Sequence, residues 1–200
     1  MNEHEAKEEI RLIREMIEKT KLSSAKAWIY HFIWGVVGIL GVVGMYLLVF
    51  LKRFSWIWFN WVVFVGIGVL LTLFLAAKQE SRRGIKTYVH ISIGHLCFAC
   101  GIAFILTGFI FPLLGLYTYR EITVLISLIA GILSFGIGGI VEWNLLKWCG
   151  VIWWLGAVGM VFIHWHYRGL MFIPLLIVGY LVPALIFRSQ CRKESGEDES

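Results

Sequence analysis

The segment Val89 to Cys100, VHISIGHLCFAC, gathers two histidines and two cysteines, the side chains from which metal and redox centres are built. On a helix His90, Gly94, Cys97 and Gly101 share one face, and His95 points about 140° away from His90. His90 and Cys97 stand seven positions apart, about 10 Å along a helix axis. Ligands of one tetrahedral ion each lie about 2.0–2.3 Å from it, so this pair cannot share one on a straight helix. Cys97 and Cys100 could share an ion only with ligands from another element. A wider grouping takes in His31, His90, His95 and Glu142, with Asn144 and Cys149 beside them, all near one end of different apolar segments. Such a cluster of histidines and a carboxylate can bind a metal, hold a haem between helices, or move protons. It can equally be a set of separate side chains near a membrane boundary, each reaching water or a carbonyl.

What positions these residues is an unusually apolar chain. Of 200 residues, 59% are hydrophobic and 16% charged, against about a quarter charged in soluble domains. The mean hydropathy is +0.79. One soluble core cannot shield that much apolar surface, so the expected solvent is a lipid bilayer. Apolar runs long enough to cross it are expected at 27–51, 55–77, 88–112, 122–141, 147–164 and 169–187. The fold class that follows is all-α: a six-helix transmembrane bundle with a cytoplasmic amphipathic N-terminal helix. The organisation expected is that helix over 1–26, a six-span domain over 27–187, and a disordered cytoplasmic tail over 188–200.

The net charge of +5 does not indicate nucleic acid, because the cations lie in short segments between apolar runs. With six spans, one side receives six Lys and Arg from the N-terminal segment, four from 78–87, Lys147, and three from the tail. The other side receives Lys52, Arg53, Arg120 and Arg168. This asymmetry predicts both termini in the cytoplasm, with the chain in the inner (plasma) membrane. Trp28, Trp34, Trp143 and Trp148 are expected to anchor the inner interface, and Trp56, Trp58, Trp61, Tyr117, Tyr119, Trp165 and Tyr167 the outer one. No cleavable signal peptide is recognisable, so the first span is expected to direct insertion.

In this setting VHISIGHLCFAC reads as the start of the third span, and its glycines offer the simpler account. Gly94, Gly101, Gly108 and Gly115 recur every seven residues, and Cys97 fits the same small-residue stripe. In lipid such a stripe lets two helices approach closely. Gly35, Gly38, Gly41 and Gly44 mark a similar stripe on the first span. The expectation is helix packing rather than a metal or redox centre, with no cofactor. Pro112, Pro174 and Pro183 are expected to bend the third and sixth spans.

The N-terminal segment carries Ala6, Ile10, Ile13 and Ile17 on one stripe. Glu3–Lys7 and Glu15–Lys19 are helix-stabilising pairs in the favoured order. It can rest on the bilayer, or Ile10, Ile13 and Ile17 can form a seam for a second copy or a cytoplasmic protein partner. Three classes of function follow. The first is a non-enzymatic membrane module working through this helix. The second is a small transporter or channel, disfavoured because no charged residue lies in the middle third of any span. The third is a haem- or metal-binding membrane protein using the His/Glu cluster. No Walker loop, HExxH or GxSxG motif supports an enzyme.

The opening IRLIREMIEKT and the closing GVIWWLGAVGMVFIHWHYRGLMFIPLLIVGYLVP resemble segments of small multipass membrane proteins of bacteria whose function is uncharacterised. Those proteins also begin with a charged helix. The likeness implies a multipass membrane fold and no activity. LSSAKAW, after the first helix, departs from the Ser/Gly-rich turn of that group.

Overall fold

The computed structural model describes residues 28–80, 88–118 and 120–197, and among them there is helix and turn but no strand. The helix expected over 1–26, with Ile10, Ile13 and Ile17, lies outside the described residues. Five helices are α1 (Trp28–Phe50), α2 (Ile57–Glu80), α3 (Tyr88–Leu113), α4 (Ile122–Ile140) and α5 (Asn144–Phe162). A short 3-10 turn, Phe54–Trp56, leads into α2. The sixth, α6, runs without interruption through Trp165–Leu176, Ile177–Leu181 and Val182–Glu197. Six helices are thus long and apolar enough to cross a membrane. Several boundaries move: α2 runs to Glu80 rather than 77, and α6 begins at Trp165 rather than 169. The fifth helix begins at Asn144 rather than 147, and positions 188–197, expected as disordered tail, continue α6 as helix. Between Pro183 and Gly196 no residue type interrupts a helix.

Tight turns set the up-and-down topology. After α1, α3 and α4 the chain closes with the same pair of bonds, one of them spanning five residues: Arg53 N–H to Leu48 O (2.8 Å), Leu116 N–H to Phe111 O (3.1 Å) and Trp143 N–H to Gly138 O (2.9 Å). Each needs one residue in the left-handed region. These are Lys52 (φ 56°), Gly115 (φ 72°) and Glu142 (φ 54°). Only Gly115 suits that conformation without a Cβ penalty.

α1 packs on α2 and α6, α5 on α4 and α6, and α3 on α4, so the helices form a ring that is open between α2 and α3. The α4–α5 pair is the most intimate. A Cβ on Gly150 would lie 2.8 Å from Gly131 O and 2.8 Å from Phe135 N, and one on Gly138 would lie 2.7 Å from Lys147 N. Backbone meets backbone there, which only glycine permits. The α2–α3 seam is the loosest; Trp58 stands edge-on to Phe109 there, with ring centroids 5.1 Å apart. In keeping with that, α2 and α3 are 6% and 11% buried over their most apolar stretch, against 22–33% for the other four. The centre is filled by Val42, Ala130, Trp153, Met160, Phe172, Leu175 and Leu176, with Trp61 and Phe104 against them. Trp61 and Trp34 pack on Gly41 and Gly68 of the opposing helices. Their flat rings fill the notch that a missing side chain leaves.

Both α3 and α6 widen into a single π-turn, Leu106–Ile110 and Ile177–Leu181. Phe111 N–H and Val182 N–H bond five residues back, to Leu106 O and Ile177 O. In that register the next carbonyls, Thr107 O and Val178 O, would need donors at Pro112 and Pro183, which have none. Both are rescued by side chains. The Tyr117 hydroxyl donates to Thr107 O, and the Cys149 thiol lies 3.7 Å from Val178 O. Gly108 and Gly179 stand four residues before those prolines, where a regular helix would crowd the proline ring against a carbonyl.

Candidate functional site

The residues singled out for chemistry lie toward the end of the ring where α1, α3 and α5 begin, here the proximal end. His31 is half-buried in the first turn of α1, its ring 5.8 Å from that of Tyr180 on α6. His90 is half-buried in the first turn of α3. His95 is exposed, and its Nδ1 lies 2.8 Å from Ile91 O of its own helix, so Nδ1 carries the proton and donates. Glu142 is exposed in the left-handed position of the α4–α5 turn. Among the described residues no three His, Cys, Asp or Glu side chains converge in a group able to hold a metal ion.

The glycines divide sharply. On α1, a Cβ at Gly35 would lie 2.8 Å from Leu181, one at Gly38 2.8 Å from Leu176, and one at Gly41 2.9 Å from Trp61. Those three positions are packing surfaces. On α3, Gly94 and Gly101 face open space, Gly108 makes only ordinary contact with Ile126, and Cys97 is exposed. The Gly94–Cys97–Gly101 stripe is therefore not a seam within this chain. The side of α3 that packs on α4 carries Leu96, which sits over Gly136, and the buried Cys100. Sequence spacing identified a periodic stripe but could not say which flank of the helix its neighbours occupy. The glycines of the α4–α5 seam, Gly131 and Gly138 on one helix and Gly150 on the other, come from two segments, and spacing within one segment cannot pair them.

Deeper in the ring an aromatic chain runs from the proximal end to the centre. His31 meets Tyr180, whose ring lies 5.5 Å from that of Trp153, itself 5.4 Å from Phe172. Trp153 is fully buried, rests on Gly179 of the π-turn, and its indole N–H has no hydrogen-bond partner, nor has the Ser134 hydroxyl. Two hydroxyls are occupied by their own helices: Ser127 Oγ donates to Thr123 O (2.8 Å) and Thr107 Oγ1 to Ala103 O (2.6 Å). Asn60 Nδ2 donates to Gly41 O at 2.9 Å and Trp154 Nε1 to Leu128 O at 3.2 Å, tying α2 to α1 and α5 to α4. These polar groups hold helices together, which is what polar side chains in lipid commonly do.

The opposite, distal end carries a different constellation. Arg168, at the start of α6, gathers three backbone carbonyls: Nε donates to Ile163 O (3.1 Å), Nη1 to Arg120 O (3.0 Å), and Nη2 reaches Val161 O at 3.5 Å. It thereby pins the end of α5 to the α3–α4 connection. The rings of His164 and His166 stack at 5.7 Å. Beside them an open basin of about 510 Å³ is lined by Arg120, Glu121, Val161, Phe162, His164 and Arg168. No protein-family model, curated protein or solved structure matches the chain.

Proposed function

We propose that this protein is a non-enzymatic module of the bacterial inner membrane that engages a cytoplasmic partner, or a second copy of itself, through its N-terminal amphipathic helix. The observation that supports this reading is the filled centre: Trp153 and Met160 have no exposed surface, and Val42 and Phe172 close around them. An interior given over to large apolar side chains suits anchorage rather than passage. The contact stripe is Ile10, Ile13 and Ile17, and the charge asymmetry of the loops sets it in the cytoplasm with the C-terminus. Deleting residues 2–20 tests the reading. Self-association or partner capture is expected to disappear while membrane insertion and thermal stability persist. Unchanged association in the truncated chain overturns it. Reporters fused at residue 200 and in the 78–87 loop are both expected to give cytoplasmic signal, and a periplasm-active reporter at residue 200 overturns the orientation.

A second reading, a small transporter, is favoured by one feature. The loose α2–α3 seam borders α3, and α3 and α6 both carry a π-turn before a proline. π-turns occur often at functional sites and hinges. Flux of any solute through reconstituted vesicles, abolished by Gly179→Leu, would favour that reading over the first.

A further inference from the structure

We infer that the opening between α2 and α3 is a lateral gate, which shuts when α2 moves against the Gly94–Cys97–Gly101 flank of α3. The direction of that flank follows from its neighbours. On α3 Leu96 and Cys100 are turned to α4, and Phe104, about 40° past Cys100, packs on the central cluster. Continuing the same way round, Cys97, Gly101 and Gly94 follow at about 60°, 100° and 120° from Cys100. In a ring, the side of α3 that lies beyond the centre and away from α4 is the side of α2. Nothing lies within 4 Å of a Cβ built on Gly94 or Gly101, and Cys97 is exposed, so this flank fronts the gap.

The opposing helix presents a matching face. Gly68 and Trp61 of α2 are turned to α1. Val65 and Val69 lie within about 20° of Trp58 on a different face, and Trp58 already touches Phe109 of α3. From that contact the two helices run antiparallel, and at about 1.5 Å per residue Val65 comes level with Gly101 and Val69 with Cys97. Val69 is 39% exposed, so the gap lies open on both sides. A branched side chain set against glycine or cysteine is the large-on-small pairing by which helices close on one another in lipid. Phe109 belongs to the π-turn Leu106–Ile110, so α3 leaves regular register at the end where it touches α2, which suits a hinge. Asn60 keeps α2 on α1, and Leu96 over Gly136 keeps α3 on α4, so the gate shuts as one helix pair swinging toward the other. It does so whatever the N-terminal helix binds.

Disulfide trapping in the full chain, reconstituted in phosphatidylcholine vesicles and oxidised with copper phenanthroline, tests the gate. Val69→Cys is combined with the native Cys97 in a background of Cys100→Ala, Cys149→Ser and Cys191→Ala. An intrachain bridge between positions 69 and 97 is expected, and none with Leu70→Cys, which points about 100° away. Gly101→Leu occupies space that is empty while the gate stands open, so the melting temperature should hold. Trapping should nevertheless slow about tenfold, because the closed form is overpacked. Val65→Cys with Gly101→Cys, the native cysteines kept and the bridge located by peptide mass mapping, reads the same closure without the background substitutions. No intrachain bridge at either level, in chains that melt like wild type, overturns the inference. So does trapping at 69 and 97 that Gly101→Leu leaves unchanged. A bridge between two chains overturns it as well, since the flank would then receive a second copy.

Discussion

Gly150→Ala is the sharpest perturbation of this fold. The added Cβ would sit 2.7 Å from Phe135 Cβ, 2.8 Å from Gly131 O and 2.8 Å from Phe135 N. Two of those atoms are backbone, so no rotamer change relieves the overlap. Ordinary contact begins at 3.4 Å, and α4 and α5 must separate by roughly 0.6 Å. A gap of about 0.5–1 Å forfeits a quarter to a half of each dispersion contact along a seam. This seam includes Gly131 against Trp154 and Gly138 against Leu146. Overpacking typically costs about 1–3 kcal/mol, and the helix propensity gained by replacing glycine returns about 0.5–1 kcal/mol of it. Net destabilisation of up to about 2.5 kcal/mol follows. Gly101→Ala is the control of opposite sign: nothing lies within 4 Å of its added Cβ, so only the propensity gain remains. Thermal unfolding in detergent, read by tryptophan fluorescence, measures both. Gly150→Ala should melt below wild type and Gly101→Ala at or above it. If Gly101→Ala falls while Gly150→Ala does not, the α4–α5 seam is not where the close packing lies.

Cys97→Leu should leave the melting temperature near wild type, since Cys97 is exposed, whereas Cys100→Leu should cost about 1–3 kcal/mol by overpacking a buried site. The same detergent melts decide, and equal losses in both would contradict the orientation of α3. Tyr117→Phe removes the donor to Thr107 O and should cost about 1–3 kcal/mol as that carbonyl is left unmet. Burial pushes the Tyr117 phenol above its ordinary pKa, so above pH 10 the folded chain holds a proton that the unfolded chain releases. Its contribution is complete below pH 10 and is lost as pH rises through the raised value; Tyr117→Phe should flatten that alkaline loss, and an unaltered profile would refute it. Glu142→Gly should be neutral or stabilising by up to about 1 kcal/mol, because glycine relieves the left-handed strain. A fall in stability would mean that the carboxylate itself holds the turn.

The six spans were legible because the requirement is local. A run of about 20 apolar residues is a helix in lipid whatever surrounds it, since every backbone polar group must be satisfied within the segment. Gly35, Gly38 and Gly41 follow from similarly local geometry: a three-residue spacing keeps small residues within about 120° of one another on any helix. VHISIGHLCFAC shows where that reasoning stops. Periodicity says that Gly94, Cys97 and Gly101 share a face, but not that α4 lies on the neighbouring flank, against Leu96 and Cys100. Nor can spacing show that Cys149 answers the carbonyl left open by Pro183, or that Arg168 and Arg120 meet across 48 positions of chain. The sequence by itself determined the number, length and lipid compatibility of the helices, which depend on composition over one segment. Only the tertiary structure decided which face of each helix is covered, because in lipid both faces are apolar and hydrophobicity no longer distinguishes inside from outside; close backbone approach and paired polar groups make that choice instead.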